Sequence, residues 1–322
     1  MNRLHFYLSA ALLCAASIVM TGCAGQPSSG TPSVTAPNAL RVHSAHHSWM
    51  SPAAKGQALV YVSSVLTSDV YVYSYASQQL VGTLTGFTTP YGLCTDKKGD
   101  VWVVNDGASQ LVEYAHGGTS PLATLSDPGE YPEGCAVDPQ TGNLAVTNFY
   151  AQSGGGSVAI YAGAQGTATL YTDPSISEYR FCGYDNKGNL FVDGVDGSSN
   201  FAFAELPKGS GTFTNITLPD KVEWPGAVQW DGKYVAVGDT DASLIYRVKG
   251  TSGTIKSVAS LGGSNYVNQF WIAASVRSKR HKDTVLAASQ DGGVVGYYKY
   301  PAGGAATTTI SVSEPFGVAL SK

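Results

Sequence analysis

Short runs of apolar residues, alternating with polar ones, fill the chain from residue 58 to its end. In one stretch they cover Val101–Asn105, Gln110–Ala115 and Ser120–Leu125, and glycine, asparagine or aspartate separates them. Alternation of this kind, rich in β-branched and aromatic residues, is typical of β-strands. No apolar pattern with the helical period of 3.6 residues extends over a useful length after residue 57. The pattern therefore predicts an all-β domain.

The strands recur together with a short phrase that is built around a glycine. It reads PYGLCTD at 90–96, PEGCAVD at 132–138 and PFGVALS at 315–321. Its marker positions are 92, 134, 181, 226, 269 and 317, with Phe181 and Gln269 in place of glycine. Periods of about 40 to 50 residues are typical of propellers and solenoids. Four strands and no helix in each repeat favour a propeller blade.

The two ends of this region predict how the ring of blades closes. Three strands, Ala58–Ser63, Asp69–Tyr75 and Gln79–Leu84, precede the first phrase, and only one strand fits after Gly317. The C-terminal strand is therefore expected to become the inner strand of the first blade, which leaves no sheet edge open. We predict a six-bladed β-propeller of four-stranded blades over residues 58–322.

The run P-x-G-φ-x-x-D-x-x-G-D-φ-φ-V at Pro90–Val103 resembles the NHL-repeat and SMP-30/gluconolactonase-like propellers. For a lactonase of the SMP-30 kind, the resemblance implies a divalent cation such as Ca²⁺, held by carboxylate and amide oxygens at the mouth of the channel. Residues of that type lie just before a blade marker or at the ends of second strands: Glu133, Asn105, Asn148, Asp193 and Asp239. The alternative is that such side chains bond their own turns. The opening Glu motif of the family is missing around residues 58–63, which argues against the lactonase.

The N-terminus resembles a bacterial lipoprotein signal. The apolar run Phe6–Met20 precedes Val19–Cys23, which is similar to a lipobox, and the run is short for a membrane span. Residues 1–22 are thus predicted to be a signal peptide. Cys23 is the predicted site of acylation, including palmitate, and several acyl chains anchor a protein firmly. Ala24 at the next position favours the outer membrane, facing the periplasm or the surface. Residues 23–57 are predicted to be a flexible tether.

Composition and charge exclude some functions. Charged residues make up 13% of the chain and the net charge is −4, so nothing indicates nucleic-acid binding. One basic run, Arg277–Lys282, is interpreted as a solvated hairpin tip, with contact to lipid headgroups or acidic polysaccharide as the alternative. The propeller holds only His116 and His281, both in loop-like surroundings, so a histidine-dependent lyase is not expected.

Three cysteines fall on predicted inner strands. Cys135 and Cys182 occupy the same place in neighbouring blades, whereas Cys94 lies one residue further along and is expected to face the other side. The sequence allows two interpretations: a Cys135–Cys182 disulfide in an oxidising compartment, or buried free thiols, since free cysteine behaves as a small apolar residue.

Aromatic residues lie just before most blade markers and predict a binding face. Aromatic collars suit sugar rings, small molecules or a protein partner. With Glu133, the residues of this predicted face are Tyr91, Tyr179, Trp224, Tyr266 and Phe316. The sequence thus favours a non-enzymatic binding or scaffold module that the lipid on Cys23 holds at the membrane, with a metal-dependent SMP-30-like lactonase as the alternative.

Overall fold

A computed structural model describes residues 47–273 and 283–322, whose strands form six sheets around a central channel. The predicted six-bladed propeller is confirmed. We call the four strands of each blade A to D, from the channel outwards. No helix in the described residues is long and apolar enough to cross a membrane.

The strands of blades 1 to 3, in the order A to D, have the following bounds. Blade 1 contains β26 (Pro315–Ser321), β2 (Leu59–Ser64), β3 (Asp69–Ser74) and β4 (Leu80–Leu84), with β1 (Trp49–Met50) outside β4. Blade 2 contains β5 (Pro90–Thr95), β6 (Val101–Asn105), β7 (Gln110–Tyr114) and β8 (Pro121–Ser126). Blade 3 contains β9 (Glu130–Val137), β10 (Leu144–Ala151), β11 (Ser157–Tyr161) and β12 (Thr169–Tyr171).

Blades 4 to 6 follow the same order. Blade 4 contains β13 (Glu178–Tyr184), β14 (Leu190–Val195), β15 (Phe201–Leu206) and β16 (Thr214–Asn215). Blade 5 contains β17 (Pro225–Trp230), β18 (Val235–Asp239), β19 (Leu244–Lys249) and β20 (Thr254–Gly262), with β24 (Gly304–Ala305) parallel to β20. Blade 6 contains β21 (Val267–Ala273), β22 (Asp283–Ser289), β23 (Val294–Tyr300) and β25 (Thr308–Ser311).

The C-terminal strand closes the ring as predicted. Strand β26 pairs with β2 antiparallel, from Leu59 opposite Ser321 to Ser64 opposite Pro315. Val318 and Ala319 are fully buried there. Blade 1 therefore takes its inner strand from the opposite end of the sequence.

A short strand precedes residue 58, the predicted start of the propeller domain, and lies within the predicted tether. Strand β1 adds a fifth strand to blade 1, with Trp49 opposite Thr83 and Met50 opposite Gly82. Met50 packs over Gly82, where a side chain on the glycine would collide with the Met50 sulfur. The residues up to 46, with the signal peptide, Cys23 and most of the tether, lie outside the described residues, as does the basic run Arg277–Lys282.

Each inner strand has an irregular register at its marker, and the markers face a neighbouring blade. A side chain on Gly92 would come within 2.6 Å of the Glu133 carbonyl oxygen. In blade 5 the register places Ala227, not Gly226, at the position equivalent to Gly92. The marker glycines thus permit close approach between inner strands.

Gln269 replaces a marker glycine because its side chain bridges three blades. Its Oε1 accepts hydrogen bonds from the amides of Leu93 (3.0 Å) and Val318 (3.1 Å), and its Nε2 donates to the Leu93 carbonyl (2.7 Å). The other replacement, Phe181, stacks on Phe316 with ring centroids 6.2 Å apart. The two side chains fill the middle of the channel.

Candidate binding sites at the two ends of the channel

The inner strands begin at one end of the channel and finish at the other, so the propeller has two faces. We call the first the D–A face, since it carries the D–A and B–C loops. The second is the A–B face, which carries the A–B and C–D turns. The predicted binding residues lie toward the D–A face.

Arg180, near the start of β13, is the centre of a charged cluster at the D–A face. Its guanidinium donates to Glu133 Oε2 at 2.8 Å and to Glu178 Oε2 at 2.9 Å. It also lies 5.1 Å from the centroid of the Phe149 ring and 5.2 Å from that of Trp224. Cation–π contacts and two charge-assisted hydrogen bonds therefore fix this side chain.

Carboxyl groups outnumber cations in this cluster. Burial raises the pKa of Glu133 to about 7, although Arg180 opposes the shift, and Asp106 and Glu178 add to it. Burial also raises the pKa of Asp106 to about 6. Asp106 Oδ1 and Arg180 Nε are buried without a hydrogen-bond partner. The cluster thus holds polar atoms that its own side chains leave unsatisfied.

Exposed aromatic rings adjoin the cluster. Tyr131 and Tyr150 are 37% and 46% exposed, which is unusual for such large side chains. The Tyr131 ring centroid lies 6.0 Å from that of Phe149 and 6.2 Å from that of Tyr150. Since Phe149 contacts Arg180, one continuous patch runs from the tyrosines to Trp224. We call Tyr131, Phe149, Tyr150, Arg180 and Trp224 the aromatic–arginine patch.

The residues of the predicted face do not form a single collar. Tyr179 is fully buried, and its hydroxyl accepts a hydrogen bond from the Asp173 amide. Tyr91 and Phe316 stack on each other at 4.4 Å, and Phe316 is only 8% exposed. Tyr266 is half-buried with a left-handed backbone (φ 57°). Only Glu133 and Trp224 meet around Arg180.

The sequence interpretation did not select Arg180, Phe149 or Tyr150. Arg180 has the same register position as Glu133 and Tyr91, because each lies two residues before the residue that pairs with the equivalent valine of strand B. Comparing that position across the blades would have placed Arg180 beside Glu133. No comparable signal marks Phe149 and Tyr150, which extend β10 beyond the length of the other B strands.

The residues of the predicted cation site bond mainly to backbone and side chains around them. Asn105 accepts from the Thr88 amide at 2.6 Å, and Asp239 accepts from the Glu223 amide at 2.9 Å. Asn148 donates to Ser157 Oγ at 3.1 Å. Asp193 accepts from the Phe181 amide at 2.9 Å, and burial holds its pKa well above the usual range.

These four residues are not all equivalent. The register places Gly194, not Asp193, at the position of Asn105, Asn148 and Asp239. Across residues 47–273 and 283–322, no three His, Cys, Asp or Glu side chains lie close enough together to hold a metal ion. The arrangement offers no fit for a carboxylate-bound Ca²⁺, and the cation remains an untested prediction.

A cavity of about 340 Å³ lies at the opposite, A–B end of the channel. The later residues of strand A in blades 2 to 6 line it, including Tyr184, Trp230 and Trp271. Phe181 and Gln269, the residues that fill the middle of the channel, also line it. The sequence analysis predicts no site here, because it selects residues that precede the blade markers, and these lie near the start of each inner strand.

The cysteines in the wall of this cavity pair differently from the sequence interpretation. Cys94 and Cys135 form a disulfide with a Cα–Cα distance of 5.7 Å, and Cys182 is a buried free thiol. Cys135 and Cys182 pair with the equivalent residues Val146 and Val192, so both point toward the preceding blade and cannot meet. Cys94 lies one position further along its strand and points to the following blade, where it meets Cys135.

Comparison with known proteins supports the fold alone. No protein-family model matches the chain, and no curated protein matches it. A chain from a nidogen/laminin complex superposes with a TM-score of 0.66 at 13% identity, over 82% of this chain and 98% of that one. A Bacteroides caccae protein of unknown function gives a TM-score of 0.62 at 11% identity, over 83% and 99%. A streptogramin B lyase gives 0.49 at 14%, over 69% and 68%. The first two superpositions support the fold, and their low identities show nothing beyond it.

Proposed function

We propose that this protein is a lipid-anchored module of the bacterial envelope that binds a protein partner through the aromatic–arginine patch. The observation that carries the proposal is the pair of exposed tyrosines, Tyr131 and Tyr150, beside an arginine that two rings and two carboxylates hold in place. Tyrosine, tryptophan and arginine are the residues that most often dominate the binding energy of protein interfaces.

The rigidity of Arg180 supports this proposal. An arginine that is already fixed loses little conformational freedom when a partner binds, so more of its interaction energy contributes to affinity. Its buried Nε has no hydrogen-bond partner, and the neighbouring tyrosines offer rings with polar hydroxyls. The lipobox-like stretch at Val19–Cys23 supports anchoring at the membrane, with the outer membrane favoured by Ala24.

Site-specific photo-crosslinking in the source bacterium tests the proposal. A benzophenone amino acid in place of Tyr150 should yield one discrete crosslinked product, because the patch faces the partner. The same amino acid at Leu170, which is 51% exposed on an outer strand of the same blade, is the matched control and should yield none. Trp224→Ala should abolish the product at position 150.

Equal crosslinking from positions 150 and 170, or none from position 150, would count against a partner at this patch. Fractionation tests the anchor separately, since Cys23→Ser should move the full chain from the membrane pellet to the soluble fraction. A Ser variant that stays in the pellet after high-salt washing would contradict lipidation. No contact among the described residues favours the lactonase alternative.

A further inference from the structure

The A–B cavity has the size of a small-molecule site. Its volume of about 340 Å³ falls within the range of ligand pockets, about 300–1,000 Å³. Its lining includes none of the five residues of the aromatic–arginine patch. A ligand in this cavity would therefore not contact the aromatic–arginine patch.

The lining of the cavity is mainly aromatic and apolar. Trp230, Trp271 and Tyr184 are half-buried there, next to the Cys94–Cys135 disulfide. Large rings that keep part of their surface exposed inside a cavity offer flat faces for stacking. A planar aromatic molecule can stack on these ring faces and would therefore gain the most binding energy from this lining.

Several polar groups in the lining can donate hydrogen bonds. Gln229 Oε1 accepts from the Ile272 amide at 2.6 Å, so the Nε2 group of this side chain remains available to donate. Among the described residues, neither this Nε2 nor the indole N–H groups of Trp230 and Trp271 has an acceptor. Unsatisfied donors in a cavity select ligands with acceptor atoms.

Charge in the lining argues for an uncharged ligand. Asp185 is the one charged residue among the described residues that line the cavity. Its Oδ1 accepts from the amides of Lys187 and Asn189, and its Oδ2 accepts from Asn189 Nδ2, so its turn occupies both oxygens. An ionic ligand would lose its hydration without gaining a counter-ion.

We infer that the A–B cavity is a second binding site, which takes an uncharged planar aromatic molecule with hydrogen-bond acceptor atoms. The site is independent of the D–A face. It combines two features of small-molecule pockets, namely apolar walls and a few polar groups that can fix the orientation of a ligand.

Fluorescence titration of the purified full chain with prodan, an uncharged planar naphthalene ketone, tests the inference. Prodan should bind saturably with one equivalent and a blue-shifted emission, and excitation of tryptophan should sensitise it through Trp230 and Trp271. Ala136 lines the cavity, so Ala136→Phe fills it and should weaken binding at least about tenfold. Leu170→Ala, on the outside of blade 3, should leave binding unchanged.

A second variant guards against misfolding of the first. Trp230→Phe keeps the ring and removes one donor, and it should weaken prodan binding about fivefold, the effect of one lost hydrogen bond. Anilinonaphthalene sulfonate, which is anionic, should compete at least about tenfold more weakly than prodan. Absence of saturable binding, equal binding by the Ala136→Phe and Leu170→Ala variants, or preference for the anionic dye would overturn the inference.

Discussion

Each face of the propeller carries a buried ion pair, and the carboxylates of the two pairs are stabilised in different ways. At the D–A face, Glu133 faces Arg180 among further carboxyl groups, and burial raises its pKa to about 7. At the A–B face, Asp231 accepts from Arg247 Nε, from the Lys233 and Tyr234 amides and from the Tyr300 hydroxyl. Burial raises the pKa of Asp231 too, but these hydrogen bonds outweigh it and the net shift is downward.

The difference shows that hydrogen-bond donors, rather than an opposite charge alone, keep a buried carboxylate ionised. The A–B turn supplies backbone donors because the repeat places an aspartate at its start. Glu133 has no such turn and depends on one arginine that it shares with Glu178. The D–A face is therefore the end at which a buried carboxyl group is less fully stabilised as a carboxylate.

The largest expected effect comes from a deletion that disrupts the whole ring and therefore both ends of the channel. Deleting residues 317–322 should leave the full chain unfolded or aggregated, because blade 1 loses its inner strand and the hydrogen-bonding edge of β2 opens. Circular dichroism and soluble yield measure the effect. Lys256→Ala, at an exposed position on β20, is the control and should behave as wild type. A soluble truncated chain with an unchanged melting temperature would contradict closure by β26.

The fold was predictable because the signals that specify it are local and repeated. Alternation gave the strands, the phrase gave the blades, and the lone strand after Gly317 gave the closure. The aspartate of the phrase also behaves as turn chemistry predicts, since Asp96 Oδ1 accepts from the amides of Lys98 and Asp100. Each of these features depends on residues close together in the sequence.

The sites were less predictable because they depend on register between blades. The disulfide depends on a one-residue offset between Cys94 and Cys135. The sequence predicts that the two side chains face opposite sides of their blades, but it does not predict that they meet between neighbouring blades. Arg180 reaches Glu133 across a gap of 47 residues. In the sequence Gln269 stands out only as a departure from glycine, although its side chain bonds to residues of blades 1 and 2. Contacts of this kind join different blades, so they can be identified only when the relative positions of the blades in the ring are known.

The second effect concerns the A–B end. Replacing both Cys94 and Cys135 by alanine should lower the free energy of unfolding by about 4 kcal/mol, the chain-entropy value for a loop of this length. The bond joins residues 41 apart and ties blades 2 and 3 together. Urea unfolding of the full chain measures the change. Dithiothreitol should lower the free energy of unfolding of the wild type by a similar amount and leave that of the double variant unchanged. Cys182→Ala is the control whose response to dithiothreitol should match wild type.

The third effect compares the two ion pairs directly. Arg180→Met at pH 7.5 should lower the free energy of unfolding by about 3 kcal/mol, because it leaves Glu133 buried without a counter-ion. Arg247→Met is the matched variant at the other end and should lower it by about 1 kcal/mol, since backbone amides still hold Asp231. Equal losses in urea unfolding would remove the distinction between the two ends.

The smallest effect is a pH dependence that originates at the D–A face. Glu133 has a pKa near 7 when folded and 4.5 in its reference state, so between these values the folded protein binds more protons than the unfolded chain. Stability should therefore fall as the pH rises through this window, by about 2 kcal/mol from this group between pH 5 and 7. Glu133→Gln mimics the neutral form at every pH and should remove that part of the slope.

Thermal unfolding of the full chain at pH 5, 6 and 7 measures this slope. Asp106→Asn is the companion variant, and it should remove a smaller part, because burial raises the pKa of Asp106 only to about 6. The A–B end supplies the opposite sign, since the pKa of Asp231 is lowered and its contribution is complete above the ordinary range of an aspartate. Asp231→Asn should therefore destabilise the protein at pH 7 and leave the downward slope between pH 5 and 7 in place. If Glu133→Gln kept the full wild-type slope, the proton taken up on folding would have to reside elsewhere, and the contrast between the two ends would lose its basis.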